Sequence, residues 1–213
     1  MLKRFISKNK TLIFKFNINE SITLFTTRFQ NFEYGVATPC VGDIQSIISF
    51  FKKLNRVEFN NFDSVKLEMQ QGSSFHFLKD KEIIVAGMWV HTGCFIVNAP
   101  SFFAFQNKPN EKVCFNKDSA YSSHNAVAKD YLGKHLYIEL LQNVFDYLLS
   151  NGIKEYVICT GFDNFRMIRS CQKYGGKLIG IIETIHFFFI KRKKTHFLDL
   201  YEKNWNCGEE RRL

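Results

Sequence analysis

The sequence predicts an α+β fold: a mixed, mostly antiparallel twisted sheet with helices on both faces. Three observations predict it. Segments that read as strands outnumber those with helical spacing. One strand–helix–strand unit, over residues 121–160, lies between segments that read as hairpins. The 213 residues are 46% apolar and 23% charged. A chain of that length can bury roughly 70% of its surface in one core.

The elements follow in order. Thr11 to Ile18 sets Leu12, Phe14, Phe16 and Ile18 on one side of a strand. Asp43 caps a helix in which Ile44, Ile47, Ile48 and Phe51 share a face. A shorter helix runs from Asp63 to Gln70 and stops at Gly72. Ser74 to Leu78 and Glu82 to His91 are strands joined by a hairpin through Lys79-Asp80-Lys81. Residues 92–117, punctuated by Pro100, Pro109 and several Asn, hold a strand or a short helix. Tyr121 to Ala128 is the next strand. Lys134 to Ser150 is the strongest helix, with Leu136, Leu140, Leu141, Val144 and Leu148 in one stripe and Asn151-Gly152 as its stop. Tyr156 to Thr160 is a buried strand, and Asn164 to Lys173 a helix closed by Gly175-Gly176. Ile179 to Ile190 and Thr195 to Tyr201 form a last hairpin across a basic turn. This organisation is one domain over residues 1–205, with a frayed tail at 206–213.

Composition narrows the function classes. No apolar run reaches the ~18 residues of a membrane span. The first residues carry charge, but Lys15 and Asn17 interrupt the apolar stretch that a signal sequence needs. The six cysteines show no CxxC spacing, so neither a zinc knuckle nor a redox motif is expected, and no metal. A reduced, cytoplasmic protein is the expectation. Net charge is +9, concentrated at the ends: residues 1–60 carry nine Lys/Arg against four Asp/Glu, and 191–213 seven against four. The run Lys191-Arg192-Lys193-Lys194 reads as a solvated hairpin tip or as a contact for an anionic ligand or membrane surface. No basic stripe interleaved with aromatics marks a nucleic-acid reader. Phenylalanine is abundant, 24 of 213. AT-rich coding and a large apolar pocket both account for that.

Chemistry concentrates in two segments. In Ala126-Val-Ala-Lys-Asp-Tyr131-Leu-Gly-Lys-His135-Leu-Tyr137, a strand ends, a loop holds one Gly, and an amphipathic helix begins. Such a helix start offers unpaired amides and the positive dipole end to a pyrophosphate. Lys134 adds a cation. The second segment is Asp163-Asn164-Phe-Arg-Met-Ile-Arg169-Ser-Cys171-Gln-Lys173-Tyr-Gly175-Gly176, after the next strand.

Together they resemble the GNAT acyltransferase superfamily. Its pattern is a strand ending in Val, then P-x-Y-R-G-K-G-I-G, a helix, a strand, and N-x-x-A-x-x-x-Y-x-K-x-G-F. Val127, Tyr131, Gly133, Lys134, Asn164, Lys173 and Gly175 fall on that register. The likeness is carried by residues 118–182, the expected cofactor-binding core, and extends loosely over 66–92. Leu132 replaces the usual Arg or Gln, and His135 and Tyr137 stand at two Gly positions. The aromatic at 137 is similar to a G-L-Y version met in biosynthetic gene clusters. Cys171 replaces a Tyr that protonates the leaving thiolate, and Gly176 replaces a Phe.

The resemblance implies an acetyl-CoA or another acyl-CoA lying between two splayed parallel strands in mid-sheet, and transfer to an amine of a small molecule. Backbone groups of Ala126, Val127 and Ala128 would bond the pantetheine. Amides of Gly133, Lys134, His135, Leu136 and Tyr137 would hold the pyrophosphate, and Asn164 would orient the pantetheine arm or the acyl end. The Val127 amide would face the oxyanion. Three placements of the base stand open. The first is Tyr121, working through a water held by Ser123. The second is His124, which strand parity sets on the opposite face unless a bulge re-aims it. The third is His91 or Trp89. The plain readings are core packing for Trp89, a hydrogen-bonded sheet residue for His124, and a buried thiol for Cys171. A catalytically inactive binding or structural protein of the same shape is the alternative function. The Phe-rich middle allows a homodimer face, an acyl tunnel or simply a core, and residues 92–117 fall where they would shape the acceptor side.

Overall fold

The structure, a computed structural model, describes residues 6–25, 32–56, 59–97, 111–187 and 190–198. The expected tail at 206–213 and the end of the last expected strand, 199–201, lie outside them, as do residues 98–110.

The expected sheet is present. Among the described residues, eight strands form one sheet in the order β10-β9-β1-β8-β7-β4-β3-β2. These are β1 (Ile6–Asn17), β2 (Glu33–Val36), β3 (Ser73–Asp80), β4 (Ile83–Thr92), β7 (Ser119–Val127), β8 (Glu155–Gly161), β9 (Lys177–Phe187) and β10 (Ile190–Phe197). β5 (Cys94–Val97) and β6 (Glu111–Cys114) pair as a separate ribbon, so the described parts of the 92–117 region include two short strands. Within the large sheet only β7 and β8 are parallel. The first strand lies inside the sheet, antiparallel to both β8 and β9.

Helices cover both faces. Side chains of α1 (Ile18–Ile22), α4 (Leu136–Ser150) and α5 (Phe165–Lys173) pack with Phe14, Phe16, Met88, Val90, Tyr156 and Ile158. The opposite face of the same strands presents Phe75, Phe77 and Trp89 to α2 (Val41–Lys53) and α3 (Phe62–Gln70). Met88 and Trp89 are adjacent yet belong to different clusters, as the pleat requires. A smaller cluster of Ile13, Tyr121, Val157, Ile179 and Ile182 continues the α2–α3 face toward β9.

Local differences from the sequence reading have local causes. Ile18 opens α1 rather than closing β1, and its amide donates to the Lys154 carbonyl at 2.8 Å. α2 starts at Val41 with Cys40 as its cap; Asp43 folds back instead to accept from the Thr38 amide and hydroxyl, each at 2.8 Å. The β3–β4 turn is Lys81-Glu82, with Lys81 at φ +57°. α4 begins at Leu136, two residues later than its periodicity suggests. The basic run is not a hairpin tip. Lys191–Lys194 lies within β10, the edge strand, where charge discourages pairing with another sheet.

β2 escapes the sequence reading because Glu33-Tyr-Gly-Val is short and one of its four residues is Gly. It is fixed from β3: the Tyr34 hydroxyl lies 2.6 Å from His76 Nδ1, and Ser74 Oγ 2.8 Å from His76 Nε2. Gly176 also has a packing reason. A Cβ there would stand 2.7 Å from the Phe16 ring and 2.8 Å from the Cys171 carbonyl. Phe16 of β1 thus fills the space beside residue 176, where the similar family carries Phe.

Candidate functional site

The parallel pairing of β7 with β8 is short. It covers Ser119–Ser122 against Glu155–Ile158 and stops. Beyond it, β7 follows β4 to Val127, whereas β8 follows β1 to Gly161. The two strands therefore part in the middle of the sheet. The Ala128 amide donates to the Val85 carbonyl at 2.8 Å. Antiparallel strands alternate the edge to which successive residues bond, so the Val127 amide points away from β4 and into the gap. An extended ligand can pair there as an added strand would.

A β-bulge sits at the point of divergence. Gly87 is opposite Ala126 and Trp89 is opposite Ser123, so His124 and Asn125 share the place of one residue. His124 takes φ +52°. The bulge overturns the parity argument: Ser123 and His124 serve the same face. Ser123 Oγ lies 2.7 Å from His91 Nε2, and the His124 ring meets Phe59 edge-on at 4.8 Å. Phe59 in turn packs on Trp89 at 5.4 Å, and the His91 ring stacks on Tyr121 at 5.6 Å. Four of the expected base candidates, with Ser123, are thus gathered on the α2–α3 face. Phe115, just after β6, stacks on Tyr121 at 5.8 Å on that face. Asn125 turns the other way and donates from Nδ2 to Ser122 Oγ at 3.3 Å, while its Oδ1 is buried without a partner.

The loop before α4 is built around positive φ angles. A 3₁₀ turn at Lys129–Tyr131 is pinned to β3 by the Tyr131 hydroxyl, which donates to Asp80 Oδ2 at 2.7 Å. Lys134 Nζ lies 4.4 Å from the centre of the Tyr131 ring. Gly133 has φ +85° and His135 φ +60°. His135 thus adopts the backbone that glycine adopts freely, at a cost of roughly 1–2 kcal/mol for an L-residue. Residues 132–135 are exposed. Leu136 and Tyr137 open the helix, so their amides have no intrahelical carbonyl behind them. The Tyr137 hydroxyl is buried without a partner, and burial holds it protonated.

The remaining expected residues are placed as follows. Tyr121 is almost fully buried, which raises its phenol well above the ordinary value. Cys171 packs in the α4–α5 core, and burial pushes its thiol up to about 12. Asn164 is exposed and caps α5, accepting from the Met167 amide at 3.2 Å.

Glu68 on α3 is a residue the sequence reading missed. Its carboxylate lies 3.6 Å from His91 Nδ1, with Ser73 between them: Ser73 Oγ is 2.7 Å from His91 Nδ1 and donates to Glu68 Oε1 at 3.4 Å. Burial pushes Glu68 up to about 7 and pulls His91 down to about 3. Removal from water disfavours both charges, so His91 is neutral near pH 7 and the contact is a hydrogen-bond chain rather than an ion pair, with Glu68 near the midpoint of its titration. No spacing in the sequence signals it. Ser73 meets His91 through the β3–β4 register, and Glu68 arrives from the end of α3.

Solved structures identify the architecture. A conserved protein of unknown function from Staphylococcus epidermidis superposes with TM-score 0.57 at 6% identity, covering 88% of this chain and 65% of that one. An acetyltransferase of the GNAT family from Colwellia psychrerythraea gives 0.54 at 10% identity, covering 85% and 57%. A GCN5-related N-acetyltransferase-like protein from Streptococcus suis gives 0.53 at 11%, covering 87% and 64%. The chain has the fold of these proteins, two of which carry GNAT or GCN5-related names, and spans about two thirds of their length or less. No protein-family model and no curated protein matches it. Among the described residues, no helix is long and apolar enough to cross a membrane.

Proposed function

We propose that this chain is an acyl-CoA-dependent N-acyltransferase that moves an acyl group, acetyl or longer, onto the amine of a small molecule by direct attack. One observation carries the reading: the sheet opens between β7 and β8 next to a helix start with free amides, and a backbone N–H is turned into the opening. The buried, unpartnered Tyr137 hydroxyl and Asn125 Oδ1 fit a ligand rich in amides, since buried polar atoms are rarely left unsatisfied.

On this reading, backbone groups of Ala126, Val127 and Ala128 line the pantetheine arm. Because the Ala128 amide is spent on Val85, the arm's partner on β7 is Val127. The amides of Gly133, His135, Leu136 and Tyr137 and the Lys134 ammonium hold the pyrophosphate, the Lys134 amide being spent on the Tyr131 carbonyl at 3.3 Å. Asn164 uses its oxygen as a cap and offers its Nδ2. The Val127 N–H stabilises the oxyanion as the amine adds to the carbonyl. Cys171 is a poor choice of acid. At about 12 it is weaker than an ordinary thiol near ~8.5, so it protonates a departing thiolate unfavourably. That observation, with exposed Leu132 at the family's Arg/Gln position, favours the second reading, a non-catalytic binding protein of this shape.

Thiol release from acetyl-CoA, followed across a panel of amino sugars, amino acids and polyamines, separates the two. Amine-dependent release is expected for at least one class. Release that no amine stimulates removes the enzyme reading.

A further inference from the structure

The face that carries Ser123 holds a continuous hydrogen-bonded chain from the edge of the gap to a carboxylate. Ser123 Oγ is 2.7 Å from His91 Nε2, His91 Nδ1 is 2.7 Å from Ser73 Oγ, and Ser73 Oγ is 3.4 Å from Glu68 Oε1. Four elements assemble it: β7 supplies Ser123, β4 supplies His91, and Ser73 and Glu68 come from the start of β3 and the end of α3. His91 and Ser73 are buried, and the Glu68 side chain is only 14% exposed. The inner end of the chain is therefore shielded from water, while Ser123 stands where β7 leaves β8.

We infer that Ser123, His91, Ser73 and Glu68 form a proton relay that takes the proton from the acceptor's nitrogen, with Glu68 as its terminal base. The inference rests on the acyl-transfer reading and supplies the carboxylate that the sequence lacks beside the strand. Ser123 is the catalytic residue, and the other three are positioning residues that act through it.

The step balances. The amine nitrogen bonds to the thioester carbon, and the carbon–sulfur bond breaks with its electron pair on sulfur. The nitrogen gives one proton to Ser123 Oγ. Ser123 passes its own proton to His91 Nε2, His91 passes the Nδ1 proton to Ser73, and Ser73 passes its proton to Glu68. The carboxylate ends as a carboxylic acid, the thiol product as a thiolate, and His91 as its other tautomer. The ring never becomes an imidazolium, which suits a histidine whose burial opposes positive charge. A carboxyl poised near 7 can accept the proton and then return it to solvent. Among the described residues, His124 and Tyr121 on β7 and Glu68 on α3 are ionisable groups that face His91, and His91 faces Glu68.

Nitrogen NMR of histidine-labelled protein tests the relay without an acceptor. The His91 tautomer ratio should shift between about pH 5 and 9 as Glu68 titrates, and should be constant in Glu68→Gln. In turnover with acetyl-CoA and the best amine of the panel, Glu68→Gln and Ser123→Ala should lower kcat by about 10²–10⁴-fold, with acetyl-CoA affinity unchanged and Ser123→Thr partly restoring the rate. The acid limb of the rate profile should vanish in Glu68→Gln. A tautomer ratio indifferent to pH, or wild-type turnover by Glu68→Gln, overturns the relay. Failure of the wild-type protein to bind acetyl-CoA overturns instead the acyl-transfer reading on which the relay depends.

Discussion

Trp89→Ala will destabilise the fold by about 3–5 kcal/mol, measured by urea unfolding, the range for truncating a large buried aromatic. The indole has no exposed surface and packs against Phe59 at 5.4 Å and Phe75 at 5.2 Å. Phe59 also carries the His124 ring, so the loss reaches the bulge. Native domains hold only about 5–15 kcal/mol in total, so this one truncation removes a large share. Trp89→Phe will be far milder. The indole N–H is buried without a partner, and removing it relieves a desolvation penalty of about 1–3 kcal/mol that offsets part of the lost contact. Equal losses in the two variants would contradict the packing described.

Glu68→Gln will be more stable than the parent protein above pH 7, and the advantage will disappear in acid. Burial raises the Glu68 carboxyl from its ordinary 4.5 to about 7, so the folded chain holds a proton that the unfolded chain has released across that interval. Stability therefore falls as pH rises from about 4.5 to about 7, by an amount on the order of 3 kcal/mol. Glutamine removes the ionisation and with it the loss. Urea unfolding at about pH 8 and pH 5 checks the sign: a gain of 2–3 kcal/mol is expected at the higher pH and under about 1 kcal/mol at the lower. A constant difference would show that Glu68 titrates normally. A stabilised, slowed Glu68→Gln is the behaviour of a group held under electrostatic strain for its chemistry.

The sequence made legible what repeats locally. Leu136, Leu140, Leu141, Val144 and Leu148 announced α4, and all five are buried. Leu12, Phe14 and Phe16 announced β1 in the same way. The glycine at 133 marked the loop before α4, where it takes φ +85°. Features that depend on register stayed hidden. A bulge adds one residue to a strand without changing its alternation enough to be read, so His124 was set on the wrong face. The chain from Ser123 to Glu68 joins residues 55 positions apart in sequence, and only the pairing of β3, β4 and β7 brings them together. The insertion of β1 between β8 and β9 is likewise a long-range choice that no local pattern records.

On the proposed function, acyl-CoA lies between β7 and β8 with its pyrophosphate at the start of α4. Backbone hydrogen exchange, compared with and without saturating acetyl-CoA, reads this placement residue by residue. Slowed exchange is expected in residues 126–137, where the Val127 amide and the first amides of α4 gain partners. Exchange unchanged across that segment would contradict it.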